Sequence, residues 1–250
     1  MIRAVVFDLD GVLLDSERLW DEARRRVTTQ HGGRWTDQAT AAMQGMSSVE
    51  WSAYLRHELG VQLDDPRIVG LVEGAVLDRY RQALPLLPGA RQAVARIGGR
   101  WPLGLASSAT RAVIDEVLAL SGWAAAFRVT VSSEEVPRGK PHPDVYLEAA
   151  RRLGVVPPSC VAVEDSGNGI RAARAAGLRV SAVPNRDFPP EPEVLAAADL
   201  AVGTLSELTV GALARLGDGP APTVVDRVDE EEVESFPASD PHSDWAGPAD

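Results

Sequence analysis

A chain of 250 residues with 45% hydrophobic and 24% charged side chains has the make-up of a soluble globular protein, long enough for one domain carrying an insertion. No apolar run approaches the roughly 20 residues that span a bilayer, the N-terminus reads as a strand instead of a signal peptide, and the single cysteine, Cys160, excludes an intramolecular disulfide. The net charge of −11 is concentrated at one end, where residues 217–250 hold ten acidic groups against one arginine, Arg227; the body is nearly neutral and carries no nucleic-acid or membrane signal.

In chain order, Ile2–Phe7 is an apolar, β-branched run that stops at Asp8-Leu9-Asp10-Gly11. Such a run predicts a buried parallel strand whose tip lies in a cleft. Helical periodicity follows over Glu17–Gln30, residues 36–43, residues 48–59 and Asp65–Ala83. Residues 16–85 therefore read as a purely helical insertion, ended by Leu84-Pro85-Leu86-Leu87-Pro88-Gly89. Strands and helices then alternate: strands at Pro102–Ser107, Arg128–Ser132, Cys160–Glu164, Leu178–Val183 and Leu200–Val202, and helices at Ala109–Ser121, Pro143–Leu153, Gly169–Ala176, Val194–Ala198 and Leu205–Leu216. This alternation predicts an α/β fold with a doubly wound parallel sheet. The core would take residues 1–15 and 86–216, and the helical insertion would form a second domain. From Gly217 the composition turns to Pro, Gly, Asp and Glu, with Asp229-Glu230-Glu231-Glu232 at its centre, and predicts a disordered acidic tail.

In such a sheet ligands gather at the carboxyl ends of the strands, and four strand ends here carry reactive groups. The first ends in Asp8 and Asp10, which strand alternation places on one side, where two like charges ask for a cation or a shared proton. The second ends in Ser107-Ser108, beside an expected helix N-terminus that favours an anion. The third leads to Lys140, the single lysine among 25 basic residues; an arginine-rich chain that keeps one lysine needs a compact point charge there. The fourth ends in Glu164-Asp165. Asp8, Asp10, Glu164 and Asp165 offer oxygen ligands to a hard cation, Mg²⁺ above all. Acids, cation, hydroxyls and ammonium around one point describe a phosphoryl-transfer centre.

DLDGVLLDSE, the serine after GLA, GKPHPD and VEDSGNGI, in that order, resemble the four motifs of the haloacid dehalogenase superfamily, and the helical insertion resembles its β-phosphoglucomutase and sugar-phosphatase members. The resemblance covers residues 1 to about 216. It implies a Rossmann-like core with 16–85 as a cap, Asp8 as nucleophile and Asp10 as general acid and base. It implies Ser107 and Lys140, with Ser108 beside them, as phosphoryl-binding groups. Mg²⁺ would sit on Asp8, the Asp10 backbone carbonyl and Asp165, with Glu164 close by.

Within that family, Asp10 argues against dehalogenation, which needs no acid, and the absence of a cap lysine excludes phosphonate hydrolysis through a Schiff base. The mutase places its cap histidine and phosphate-binding arginine where this chain has Trp20 and Ser48. Arg56 or one of Arg24–Arg26 could substitute for that arginine, since the sequence does not fix where they point, but exposed helix arginines are the favoured reading; a phosphatase acting on a small phosphorylated metabolite is therefore favoured over a mutase, and both over a non-catalytic module on the same fold. Substrate choice is expected from Gly45, Met46, Ser47 and Trp51 in the cap, where Trp20, Trp35 and Trp51 either fill the core or stack on a sugar. The expectation is a cytoplasmic monomer.

Overall fold

A computed structural model describes residues 1–219 except Gln44 and 186–188; of the expected acidic tail, residues 220–250 lie outside the described residues. Six parallel strands form one sheet: β1 (Ala4–Phe7), β2 (Leu103–Ser107), β3 (Phe127–Ser132), β4 (Cys160–Glu164), β5 (Arg179–Ala182) and β6 (Leu200–Ala201). They lie in the order β3-β2-β1-β4-β5-β6. The chain winds outward from β1 to one edge, then returns to β1 and winds to the other. The reversal lies between β1 and β4, where Phe7 pairs with Val163 and Asp8 N–H still donates to the Val163 carbonyl at 2.9 Å. Crevices form at such reversals, and this one brings residues 8 and 164 side by side.

Alternation along each strand builds two apolar layers. Val5, Phe7, Leu103, Leu105, Val161 and Val163 face one cluster, while Ala4, Val6, Ala106, Ala162 and Val180 face another. The second layer is closed by α7 (Asp144–Leu153) and α8 (Gly167–Ala175), which bury Tyr146, Ala149, Ile170 and Ala173 against small strand residues. The first layer runs on without a break into helical residues far from the sheet, among them Val27, Leu55, Ile68 and Val76.

Those residues belong to α1 (Glu17–Gln30), α2 (Ala39–Ala42), α3 (Ser48–His57) and α4 (Asp65–Gln82), all between β1 and β2. Ser47 and Glu50 form a reciprocal capping box at the start of α3, and the Asp64 carboxylate accepts from Arg67 N–H at the start of α4. Two extended stretches lead into and out of this helical group side by side: Leu87 N–H donates to the Leu13 carbonyl and Asp15 N–H to the Pro85 carbonyl. One helix was not expected. α5 (Ala90–Gly98) follows Gly89, whose φ of +86° starts it without a side-chain cap, and the Pro-Gly pair masked it by reading as a plain turn. The helix after β2, α6 (Arg111–Ser121), starts two residues later than expected because Thr110 caps it, accepting from Val113 N–H. The last helix is likewise shorter, with α9 (Pro192–Leu195) and α10 (Val210–Leu216) closing the order. Among the described residues no helix is long and apolar enough to cross a membrane.

α4 also packs on α6, and there Glu73 is buried against Thr110 with one carboxyl oxygen unpartnered. Burial is the main reason its pKa is pushed up to about 7 from an ordinary 4.5. The folded state thus holds this proton more tightly than the unfolded chain, and stability falls as pH rises through the window from about 4.5 to about 7. Glu73→Gln should raise Tm at pH 8 by about 3 °C, the shift that roughly 1 kcal/mol gives a chain of this size, and leave it unchanged at pH 4; thermal denaturation at the two pH values checks both.

Candidate active site

The carboxyl ends of β1 and β4, with the loop before α7, meet in a buried ionic cluster. Lys140 is 2% exposed. Its ammonium donates to Asp8 Oδ1 at 2.5 Å and to Glu164 Oε1 at 2.6 Å, and it lies 5.1 Å from the centre of the Tyr146 ring. Burial works against the ammonium, but the Asp8 and Glu164 carboxylates outweigh it and hold the Lys140 pKa above its ordinary value. The Asp8 and Asp165 pKa values are raised too, but by a different cause. Burial raises both, Lys140 only partly offsets this at Asp8, and the neighbouring carboxylates raise them further.

Glu164 is the best-satisfied member. Beyond Lys140, its Oε1 accepts from Tyr146 Oη at 2.5 Å, and its Oε2 from Asp165 N–H, Ser166 N–H and Ser166 Oγ. Asp165 contrasts with it: the carboxylate is buried and, among the described residues, accepts no hydrogen bond. Asp8, Glu164 and Asp165 each present an oxygen within 4.8 Å of the others. Three buried carboxylates against one ammonium leave a negative excess, and a carboxylate without a donor suits a hard cation that bonds through oxygen. The cluster therefore fits a metal site. The Asp10 carboxylate is not part of it.

Asp10 behaves differently because the strand has ended. Leu13 and Leu14 N–H both return to the Leu9 carbonyl, so the backbone curls at Leu9 and turns toward the helical segment. The two carboxylates take separate partners as a result. Asp10 Oδ1 accepts from Ser16 Oγ at 2.7 Å, Trp20 Nε1 at 3.0 Å and Tyr80 Oη at 3.4 Å, all from the helical segment. Gly11 allows this curl with a φ of +77°, and a Cβ there would lie 1.9 Å from Asp165 Oδ2. Gly169 is constrained in the same way, since its Cβ would lie 2.0 Å from Glu164 Oε1. Each of these glycines makes room for a carboxylate.

Ser107 is buried at the end of β2, four residues before α6, and its hydroxyl oxygen accepts from Ala109 N–H at 3.0 Å. Neighbouring Ser108 instead reaches across to the helical segment, where its hydroxyl donates to the Gly45 carbonyl at 3.0 Å. Gly45, Met46 and Trp51 line a cavity of about 50 Å³ together with Asp10, Glu17, Trp20, Arg24, Met43, Ser108 and Ala109. Ser47 lies outside it, its hydroxyl spent on Glu50. Trp35 lies away too, under the Arg25 guanidinium.

Two residues escaped the sequence reading. Tyr146 lies on the buried face of α7 and gave no polar signal. Arg24 was expected on an exposed helix face, yet it is 9% exposed and faces the cavity; its spacing of four from Trp20 placed it on the apolar stripe of α1 and was the available signal.

A family model for haloacid dehalogenase-like hydrolases matches residues 2–177. The chain belongs to that family. Hexitol phosphatase B of Escherichia coli (strain K12) is 36% identical over 222 residues, covering 83% of this chain and 95% of that one. CbbY from Rhodobacter sphaeroides, solved in complex with phosphate, superposes with a TM-score of 0.75 at 27% identity over 86% of this chain and 100% of that one. β-Phosphoglucomutase from Clostridium difficile has the same TM-score, 0.75, at 24% identity over 87% and 98% of the two chains, a likeness of fold alone.

Gly169→Ala should force Glu164 off its donors and leave Lys140 with one carboxylate. We expect a loss of several degrees in Tm, since overpacking costs about 1–3 kcal/mol and the ion cluster is disturbed as well. A thermal melt of the variant beside Gly74→Ala checks this, because the Gly74 position has open space.

Proposed function

We propose that the protein is a metal-dependent phosphatase of small phosphomonoesters, sugar phosphates or similar metabolites, with Asp8 as the attacking group. The observation that carries this reading is the buried Asp8–Lys140–Glu164 cluster beside a donor-free Asp165. Such a set binds and neutralises a phosphoryl group while presenting a carboxylate oxygen to phosphorus. Similarity to a hexitol phosphatase supports the substrate class.

Each chain residue then has a task. Lys140 has three N–H donors and uses two on Asp8 and Glu164, leaving the third for a phosphoryl oxygen. The Ser107 hydroxyl accepts from the backbone and keeps its own proton to donate. Asp8 attacks phosphorus as the bond to the leaving oxygen breaks, forming an aspartyl-phosphate. Asp10 gives its proton to the departing alkoxide, then takes one from the water that attacks phosphorus and returns Asp8 to the carboxylate. Ser16, Trp20 and Tyr80 aim Asp10 at that position. Asp8, Asp165 and the Asp10 carbonyl would hold Mg²⁺, with Glu164 close by. When bound, the ion would neutralise charge on the phosphoryl oxygens.

Residues 16–85 act as the cap of this core. The cavity, about 50 Å³ and open to solvent on one side, is too small for a sugar phosphate as it stands, so the cap shifts to admit substrate and closes over it, excluding water from the acyl-phosphate step. The paired segments at residues 13–15 and 85–87 are the natural hinge.

The mutase reading keeps one point in its favour. Arg24 supplies a cationic group in the cleft, the substitute that the sequence leaves open among Arg24–Arg26. Its surroundings weigh against a second phosphate, because Glu17 and Asp10 share the same cavity. Phosphate release from a panel of sugar phosphates and p-nitrophenyl phosphate, with and without Mg²⁺, tests the proposal. We expect Mg²⁺-dependent release that Asp8→Asn lowers by at least about 10³-fold with the fold intact by circular dichroism. Isomerisation of β-glucose 1-phosphate far faster than any release would establish the mutase instead, and an inactive folded wild type would leave a binding module.

A further inference from the structure

Arg24 takes no part in the steps above, yet the fold goes to some expense to hold it. Its guanidinium lies 5.4 Å from the ring centre of Trp20 and 5.2 Å from that of Trp51. Those two rings are 6.3 Å apart and inclined at 58°. Among the described residues the guanidinium makes no hydrogen bond or ion pair, and its Nε is buried without a partner. Burial lowers its pKa, with Glu17, Asp10 and Asp21 opposing, but an arginine stays charged in proteins. A buried cation without acceptors destabilises a fold unless something else meets it. The two aromatic faces compensate in part, and they fix the plane of the fork.

Glu17 stands across the same cavity. It is half-buried, and among the described residues its carboxyl makes no hydrogen bond or ion pair. Glu17 and Arg24 attract each other, but they do not close into a pair. A donor fork and an acceptor carboxyl therefore face one space, each with unspent hydrogen-bonding capacity. That space also touches Asp10 and Ser108, so its occupant is the alcohol portion of the ester, next to the oxygen that leaves.

We propose that Arg24 is a specificity residue: with Glu17 it brackets the leaving group, donating to one hydroxyl while Glu17 accepts from a neighbouring one, and so selects polyhydroxylated phosphate esters over esters of simple alcohols. The proposal rests on the phosphatase reading. A hydroxyl both gives and accepts a hydrogen bond, which matches a neutral polyol to this opposed pair. A second anionic group would meet two carboxyls and one cation in the cavity, a poor match. Trp20 and Trp51 then serve as the support of the guanidinium, and their faces are not free to stack on a sugar ring.

The test compares kcat/KM of the full chain with Mg²⁺ on sorbitol 6-phosphate and on p-nitrophenyl phosphate. In Arg24→Met the ratio of the first to the second should fall by about 10–100-fold, the range of one charge-assisted hydrogen bond, without a loss in Tm. Arg24→Lys, which keeps the charge and loses the planar fork, should fall several-fold, and it decides the matter if Arg24→Met does not fold. An unchanged ratio in both folded variants, whether both rates fall together or neither moves, overturns the proposal. So does a wild type that prefers an ester bearing a second phosphate or a carboxylate and loses that preference in Arg24→Met. Failure of the wild type to release phosphate from either ester overturns the phosphatase reading itself, which the unchanged ratio does not.

Discussion

Lys140 lies between Asp8 and Glu164 in a place where burial works against both the Asp8 carboxylate and the ammonium. The ammonium keeps its charge because the two carboxylates are there, and in return it offsets part of what burial does to Asp8. The rest of the site follows from where this balance is struck. Asp8 is at the end of a central strand, Glu164 at the end of its neighbour, and Lys140 on the loop that enters α7, so three separate segments must reach one point. Tyr146 and the first residues after β4 then satisfy the remaining lone pairs of Glu164. Glu164 is thereby held as an anchor for the lysine, while Asp8 and Asp165 keep oxygen atoms unspent for other partners.

The sheet reversal explains why such a meeting is possible. Strand ends on either side of it diverge and leave a crevice, and two glycines let carboxylates fill that crevice closely. Gly11 and Gly169 are usually read as turn formers, but here the space above each Cα is occupied by an acid. The helical segment completes the crevice from the opposite side. Through Ser16, Trp20 and Tyr80 it also holds the Asp10 carboxyl. Core and helical segment are therefore coupled at Asp10, as well as through the Ser108–Gly45 contact and the shared apolar cluster.

Much of this was legible in the sequence. The continuous apolar run before Asp8, the lone lysine in an arginine-rich chain and the carboxylates after Cys160–Glu164 are local signals, and the alternation of periods places them at one edge of a parallel sheet. What escaped has physical reasons. Strand alternation puts Asp8 and Asp10 on one side, and Asp10 does act on the Asp8 carboxylate, but it does not tell that the partners of Asp10 come from the helical segment. α5 was hidden behind Pro88-Gly89, since a left-handed glycine opens a helix and closes one equally well in sequence. Arg24 was assigned to solvent because arginine usually is; only the approach of α3, which brings Trp51 to its second face, buries it. The contact with Trp51 is tertiary; the spacing of four from Trp20 marks the stripe of α1 but not the helix that covers it.

The central claim is that phosphorus passes through the Asp8 carboxylate. Acid quenching of the full chain during turnover of a radiolabelled sugar phosphate, followed by peptide mapping, examines it directly. The account predicts label on the peptide carrying Asp8, stable in acid and released by hydroxylamine as an acyl phosphate must be, and absent from Asp8→Asn. Turnover with label on another residue, or turnover undiminished in Asp8→Asn, would contradict it.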